Sequence, residues 1–451
     1  MTALFPSAGP IGIDSRVLTA SLLLSLGTAL LFGLAPTLRA LRQGPAEALR
    51  AAGRGGSVSA ERHRVQRALV LAEVAVALVL VVGAALVGKS LWRLVRQDLG
   101  LATEGALTMR ISPPTGRFPD DADLQAFYAD VLERAAAVPG VTDVGVVNLL
   151  PVDGGIMGTS FATRDQPRLP GQAPQTVDVR IVSPGTFRAL GVPVVRGRSL
   201  EASDRGGPAG LINESFARRL WPGADPVGHE ILWDNGEEWF TVVGVVADMR
   251  QRGPGEEPRA EAYRMVSQEV WSRSMYLVAR TDGEPRRLAG PLAAAVHAVD
   301  ATTPVSRVRT LEDVAQESLA QRRFVTALFT VFGAVALLLG AVGVYGVTSF
   351  VLARRRREFG VRLALGATPR SVLGVALREA LRPVLLGLAA GALLCLAFTR
   401  LLGGLLFQVD ALDPWVLAGV AVGLALVGAA AAWIPARRAA ATDPRDSLLS
   451  A

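Results

Sequence analysis

The sequence contains a single cysteine, Cys395, in 451 residues, so no intrachain disulfide can staple it. Its three histidines, His63, His229 and His297, lie far apart and have no cysteine partners, which excludes zinc-type ligand spacing. Charged residues are scarce, at 19% of the chain, against roughly a quarter in soluble domains. That shortage argues against a purely cytosolic enzyme. Hydrophobic residues make up 50%, too many for a disordered chain. No nucleophile, histidine and acid fall into a hydrolase-like cluster, so a membrane-bound hydrolase finds no support.

What the chain does have is apolar runs. Val17–Leu38 is 22 residues without a charge, and Ala68–Gly88 is apolar except for Glu73. Phe324–Ala353 is 30 charge-free residues, Pro383–Thr399 is 17 and Pro414–Ala436 is 23. A spanning helix needs about 20 residues for a core roughly 30 Å thick. The fourth run reaches that length through Leu401–Phe407 if Arg400 snorkels to the headgroups. Five membrane spans are therefore predicted, the third long enough to project as a stalk. Val17–Leu38 lacks the basic leader of a signal peptide, its first basic residue being Arg16, and reads as a retained span.

Charge orients the spans. Arg39–Arg67 holds seven Arg against two Glu, Ala353–Arg382 eight Arg against two Glu, and Pro435–Ala451 three Arg against two Asp. The three segments carry +12 while the chain totals +7, so the remainder is −5. With five alternating spans all three basic segments fall on one side, and the positive-inside rule makes it cytoplasmic. The N-terminus is then outside and the C-terminus inside. Trp92, Trp415 and Trp433 stand at span ends, where interfacial anchors belong. Positive charge that abuts spans is not the basic face of a nucleic-acid binder.

Between the second and third spans lies an extracytoplasmic domain of mixed α+β pattern. Val177–Val182, Gly210–Ile212, Thr241–Val246 and Met275–Ala279 read as strands. Asp120–Ala137, Glu284–Val299 and Ser215–Leu220 read as helices.

The chain also echoes itself. Asp14, Val17, Leu18, Pro36, Arg39, Ala40, Pro45 and Leu49 recur 399 residues later as Asp413, Val416, Leu417, Pro435, Arg438, Ala439, Pro444 and Leu448. Glu47 meets Asp446, keeping the charge. The first span copies the last, which predicts that the chain starts inside the final helix of a preceding module.

Several local patterns need weighing. Gly83-Ala-Ala-Leu-Val-Gly88-Lys89-Ser90 matches the P-loop spacing, but it lies in an apolar helix with no preceding strand and no exposed nest of N–H groups. Val242–Asp248 imitates a Walker B strand and lacks a second acid. Neither is an ATP site, and no cofactor is expected on this chain. Glu73 is an intramembrane carboxylate, expected either to reach the interface or pair with Arg67, or to serve as a proton or substrate site. Gly387/Gly391 and Gly419/Gly423 form GxxxG pairs, and Gly340, Gly343 and Gly346 recur every three residues. Such stripes suit close helix packing within the subunit or a dimer seam.

The basic loop after the third span reads Arg354-Arg-Arg-Arg357-Glu358-Phe-Gly360-Val-Arg362-Leu-Ala-Leu365-Gly366-Ala367-Thr-Pro369. It is a short amphipathic pattern, stopped by Gly366 and Pro369, that can lie on the membrane or dock in a partner's groove. "RRRREFGVRLALGATPRSVL", followed by two spans and "PARRAAATDPRDSLL", resembles the FtsX-like permease domain of the ABC superfamily that includes MacB-type macrolide exporters and lipoprotein-release permeases. The extracytoplasmic domain is similar to that superfamily's periplasmic core domain, and "VSPGTFRALGVPVVRGRSL", "INESFARRLWPGADPVG", "WFTVVGVVADMR" and "QRRFVTALFTVFGAVALLLGAVGVYGV" resemble its duplicated-permease branch, called ADOP.

The resemblance implies a domain plan and a mechanism. Residues 1–40 would be the last transmembrane helix of a preceding FtsX-like module, 41–67 a cytoplasmic basic linker and 68–91 a transmembrane helix. Residues 92–323 would be the MacB-like periplasmic core. Residues 324–451 would be the FtsX-like domain, with spans at about 324–353, 383–405 and 414–435 and a coupling loop at 354–382. Arg357, Glu358, Gly360, Arg362, Leu365, Gly366 and Ala367 match the family motif and would contact a separate cytoplasmic ABC ATPase, which binds the ATP. A second permease half or a homodimer partner, a periplasmic adaptor and membrane lipid complete the implied partners. Mechanical transmission in export or efflux is the implied function, without catalysis by the chain. The rival reading is a transmembrane sensor with a periplasmic ligand-binding domain, for which no sizeable cytoplasmic output domain is present among these segments.

Overall fold

The structure is a computed structural model. It describes residues 15–16, 18–23, 25–27, 57–165, 174–233, 239–270, 272–354, 358, 361–362, 365, 367–402, 406–410 and 412–440. It divides into two compact units: residues Leu94–Gln321, and the apolar helices of Met1–Arg93 with Arg322–Ala451.

The first unit is α+β. One half is an antiparallel sheet in the order β11 (Val305–Thr310), β1 (Ala106–Ile111), β10 (Met275–Arg280), β2 (Asp143–Val147). Alternation along β1 sends Leu107, Met109 and Ile111 into a core shared with helix α2 (Asp121–Ala136). On α2, Leu124, Phe127, Tyr128, Val131 and Ala135 recur at helical spacing and are all buried, the stripe a helix needs to cover a sheet. Helix α5 (Ala289–Val299) adds Leu292 and Val296 to the same core. Burying each large apolar side chain contributes about 1.5–3 kcal/mol, so an acid at Val131 would open this layer.

The other half contains β3 (Gly158–Thr163), β4 (Gln175–Val182), β6 (Ala209–Asn213), β7 (Glu230–Trp233), β8 (Phe240–Val246) and β9 (Glu261–Met265). These six close into a ring, because β9 pairs with β6 antiparallel and with β4 parallel, completing the order β4-β3-β7-β8-β6-β9. Short β5 (Val194–Gly197) adds to β8. The ring is filled by aromatics, with Phe161 edge-on to Phe216 at 4.9 Å and Trp233 against Phe240 at 4.8 Å.

Helix ends follow local chemistry. Asn213 caps α4 (Glu214–Leu220), its side chain accepting from the Phe216 N–H at 3.0 Å. Thr310 and Asp313 form a reciprocal capping box on α6 (Leu311–Ser318), which satisfies two otherwise orphaned donors. The short α3 (Thr186–Leu190) ends on Gly191 at φ 68°.

A buried ion pair bridges two neighbouring strands of the ring. Arg180 on β4 and Glu261 on β9 are 1% and 0% exposed and 3.4 Å apart. Arg180 also donates to the Leu149 and Gly155 carbonyls at 3.1 Å each, tethering the β2–β3 connection. Glu261 accepts from Tyr263 Oη at 2.5 Å and Gln251 Nε2 at 2.7 Å. Burial pushes its carboxyl up, against the pull of Arg180.

The second unit has four described helices long and apolar enough to cross a membrane, lying within α1 (Ser57–Val95), α7 (Ala320–Arg354), α8 (Pro369–Leu402) and α9 (Pro414–Ala440). The remaining predicted span, Val17–Leu38, falls mostly outside the described residues, which include a short apolar helix, Leu18–Gly27.

Two boundaries differ from the sequence expectation. α1 begins at Ser57, inside the segment read as a basic linker. α8 begins at Pro369 and carries Pro383 in its interior, so the connection before it is shorter than 354–382. Proline at N1 suits a helix start, and an apolar run alone does not mark where a charged helical extension begins.

Candidate functional site

α1 is the helix most covered by its neighbours, with half of its apolar window buried, against 17% for α7 and α9. Val70, Val74, Ala77, Leu78, Val82 and Leu86 form its buried stripe. The glycines of α8 meet this stripe. A Cβ on Gly387 would lie 2.8 Å from the Leu71 carbonyl oxygen, and one on Gly391 would lie 2.9 Å from the Ala75 carbonyl oxygen. This GxxxG pair is a seam within the subunit. Around Gly419, Gly423, Gly340 and Gly346 nothing lies within 4 Å of a built Cβ, so the structure does not bring these positions into such a seam.

Gly343 differs from its neighbours in the stripe: a Cβ there would strike the Glu73 carboxylate. Glu73 therefore lies in a notch that α7 provides, and the expected pairing with Arg67 is not what the structure places there. Arg67 instead faces Glu379 of α8 at 3.7 Å. Arg67, Thr348 and Glu379 line one small pocket between α1, α7 and α8. The sequence could not assign these partners, because Arg67 and Glu379 are separated by more than 300 positions.

The P-loop look-alike is plain helix, continuous through α1. Gly83 packs on the Phe329 ring, Ser90 Oγ accepts from the Phe407 N–H at 2.9 Å, and Lys89, the chain's single lysine, pairs with Asp413. Asp413 also caps α9, accepting from the Trp415 N–H at 3.0 Å. The Lys89 ammonium holds the Asp413 carboxyl below the usual carboxylate range. Asp248, the acid of the Walker B look-alike, is likewise occupied, accepting from Ser215 Oγ at 2.7 Å and Arg218 at 2.6 Å.

Between α7 and α8 the described residues are Glu358, Val361, Arg362, Leu365, Ala367 and Thr368; Arg357, Gly360 and Gly366 lie outside them. Glu358 and Arg362 form an i,i+4 ion pair at 2.7 Å, with both side chains more than 40% exposed. The Leu365 N–H reaches the Val361 carbonyl at 3.0 Å and Ala367 N–H the Arg362 carbonyl at 2.9 Å. The result is a helical turn that stops before Thr368, whose Oγ1 accepts from the Ser371 N–H at 3.3 Å to begin α8. Leu365 is 83% exposed on this turn.

Apolar helices joined by an arginine-rich turn, with an α+β domain inserted after α1, have a counterpart among known families. The model of the MacB-like periplasmic core domain matches residues 68–284, and that of the FtsX-like permease C-terminal domain matches residues 330–444. The chain is an FtsX-like ABC permease with a MacB-like periplasmic core domain. With its several spanning helices, this permease is a multi-pass protein of the inner membrane.

It is 27% identical over 274 residues to the macrolide export ATP-binding/permease protein MacB of Chromobacterium violaceum, covering 58% of this chain and 42% of that protein. It is 26% identical over 405 residues to the pyoverdine export ATP-binding/permease protein PvdT of Pseudomonas fluorescens, covering 86% of this chain and 57% of that one. The permease thus spans about two fifths to three fifths of the curated relatives it matches. Among solved structures, the periplasmic region of MacB from Actinobacillus actinomycetemcomitans aligns with a TM-score of 0.35 at 12% identity, covering 50% of this chain and 96% of that one.

Proposed function

We propose that this permease transmits force: a separate cytoplasmic ATPase binds and hydrolyses ATP, and the turn between α7 and α8 carries the resulting movement to the periplasmic domain. The chain itself is non-catalytic in this reading, and the system works in export or efflux as one of the duplicated-permease (ADOP) type, paired with a second permease half. A periplasmic adaptor completes the proposed assembly. In this reading the turn is cytoplasmic, the N-terminus outside and the C-terminus inside, which the positive charge beside the apolar runs supports.

The observation that carries the reading is Leu365. A leucine 83% exposed, beside an exposed Glu358–Arg362 pair on a turn between two spans, is shaped as a plug for a partner's groove. Burying such a side chain contributes about 1.5–3 kcal/mol.

The test is a benzophenone amino acid at Leu365, photolysed in native membranes, with the adduct identified by mass spectrometry. The expected adduct is a nucleotide-binding subunit carrying its own P-loop, and Leu365→Asp weakens its co-purification by about tenfold or more. Adducts to lipid alone, with co-purification unaffected by Leu365→Asp, would refute the coupling role.

A further inference from the structure

The periplasmic domain contains a cleft of about 250 Å³ between α2 and the segments that follow β4 and β9. That is close to the scale of small-molecule sites, roughly 300–1,000 Å³. One wall is the exposed side of α2, where Ala126, Ala129 and Leu132 present a groove floored by small side chains. Larger residues at the two alanines would fill it. The opposite wall includes Met265 and Ser267, and Arg205 is the only charged lining residue.

The cleft is held open by hydrogen bonds. Gln268 Oε1 accepts from the Met265 N–H at 3.1 Å, while Gln268 Nε2 donates to the Asp204 and Gly207 carbonyls at 2.9 and 2.7 Å. Asp204 is itself clamped by Arg198 through two bonds of 2.6 and 2.7 Å. The segment bearing Arg205 is thereby tied to the end of β9, a preorganised arrangement that lowers the entropic cost of binding. The Ser267 hydroxyl is buried and has no hydrogen-bond partner among the described residues.

We propose that this cleft binds an amphiphile with a single carboxylate head, its apolar tail along Ala126, Ala129 and Leu132 and its head at Arg205. The trough is mostly apolar, with Gln125 and Ser183 as further polar lining residues, and the cation at its edge favours an anionic amphiphile over a cationic one. The site lies wholly within Leu94–Gln321 and is independent of the coupling role of Leu365.

The experiment uses the full chain in nanodiscs of zwitterionic lipid, photolysed with a diazirine-bearing dodecanoate and mapped by peptide mass spectrometry. Adducts are expected on the peptides containing Ala126 and Met265, reduced about tenfold by Ala126→Trp, which fills the trough. Arg205→Glu reduces labelling roughly threefold or more by removing the paired cation, while labelling by the matching uncharged dodecanol probe is unchanged. Ala129→Leu, a smaller intrusion, is read in parallel, so misfolding of one variant does not remove the test. Adducts confined to the four apolar helices, or cleft labelling that neither filling variant reduces, would overturn the proposal. Equal effects of Arg205→Glu on both probes would overturn the assignment of the carboxylate.

Discussion

The two GxxxG pairs of the membrane unit provide the sharpest test, because the same motif has opposite surroundings. A methyl on Gly387 would sit 2.8 Å from a backbone oxygen and 2.9 Å from Val74 Cβ; one on Gly391 would sit 2.9 Å from both the Ala75 carbonyl and Leu78 Cδ2. Backbone atoms cannot swing aside as a flexible side-chain end does, so α8 must move off α1. Overpacking of this kind costs about 1–3 kcal/mol. The intrinsic preference of a helix for Ala over Gly returns up to about 1 kcal/mol, leaving each variant less stable by roughly 1–2 kcal/mol. At Gly419 and Gly423 nothing opposes the methyl, and the same preference leaves Gly→Ala neutral or stabilising by up to about 1 kcal/mol.

The chain supplies its own reporter. Cys395, its only cysteine, is buried on α8 one turn beyond Gly391, so a thiol-reactive dye gains fluorescence as the α1–α8 seam opens. Thermal melts in detergent with that dye should show lower midpoints for Gly387→Ala and Gly391→Ala, and unchanged or higher midpoints for Gly419→Ala and Gly423→Ala. If all four variants shift in one direction, or the second pair is the destabilising one, the assignment of the seam is wrong.

Other outcomes follow from the periplasmic domain and the topology. Arg180→Met leaves Glu261 buried without its counter-ion and should cost about 3 kcal/mol, while Arg180→Met with Glu261→Leu recovers most of that loss; urea unfolding followed by tryptophan fluorescence reads both. Asp204 is held below the usual carboxylate range by its hydrogen bonds to Arg198. Its stabilisation is therefore present above the unfolded carboxyl pKa, about 3.9, and is lost as pH falls through the lower folded value. Asp204→Asn should lower stability at neutral pH and flatten its decline below about pH 4, measured as unfolding midpoint against pH. In Cys395→Ser cells, a membrane-impermeant maleimide should label Ser203→Cys from outside and Ser371→Cys only after the inner membrane is opened; the reverse pattern would invert the proposed orientation.

Much of the architecture could be read along the chain because it depends on local composition. A run such as Pro414–Ala436 is apolar enough to dissolve in lipid whatever its neighbours do, and α9 lies there. The strands β4, β6, β8 and β10 lie in the short runs read as strands. Less was legible where the signal is weak: β5 and β7 have four residues each, too few for a period to emerge, and Pro383 read as a helix start although α8 passes through it. Of the loop residues assigned to coupling, the motif gave the identities, while the exposure of Leu365 and the pairing of Glu358 with Arg362 came from the folded turn.

Hydrophobic runs and the arginines beside them are one-dimensional properties, so spans, their charge bias and an α+β insertion were already written in the residue order. The rest depended on which distant segments approach each other. Arg67 meeting Glu379, Gly343 making room for Glu73, β9 closing the ring onto β4, and alanines on α2 facing the end of β9 are all encounters between residues remote in sequence. A GxxxG pair looks the same in text whether a backbone carbonyl stands 2.9 Å away or nothing does, and only packing in three dimensions separates the two.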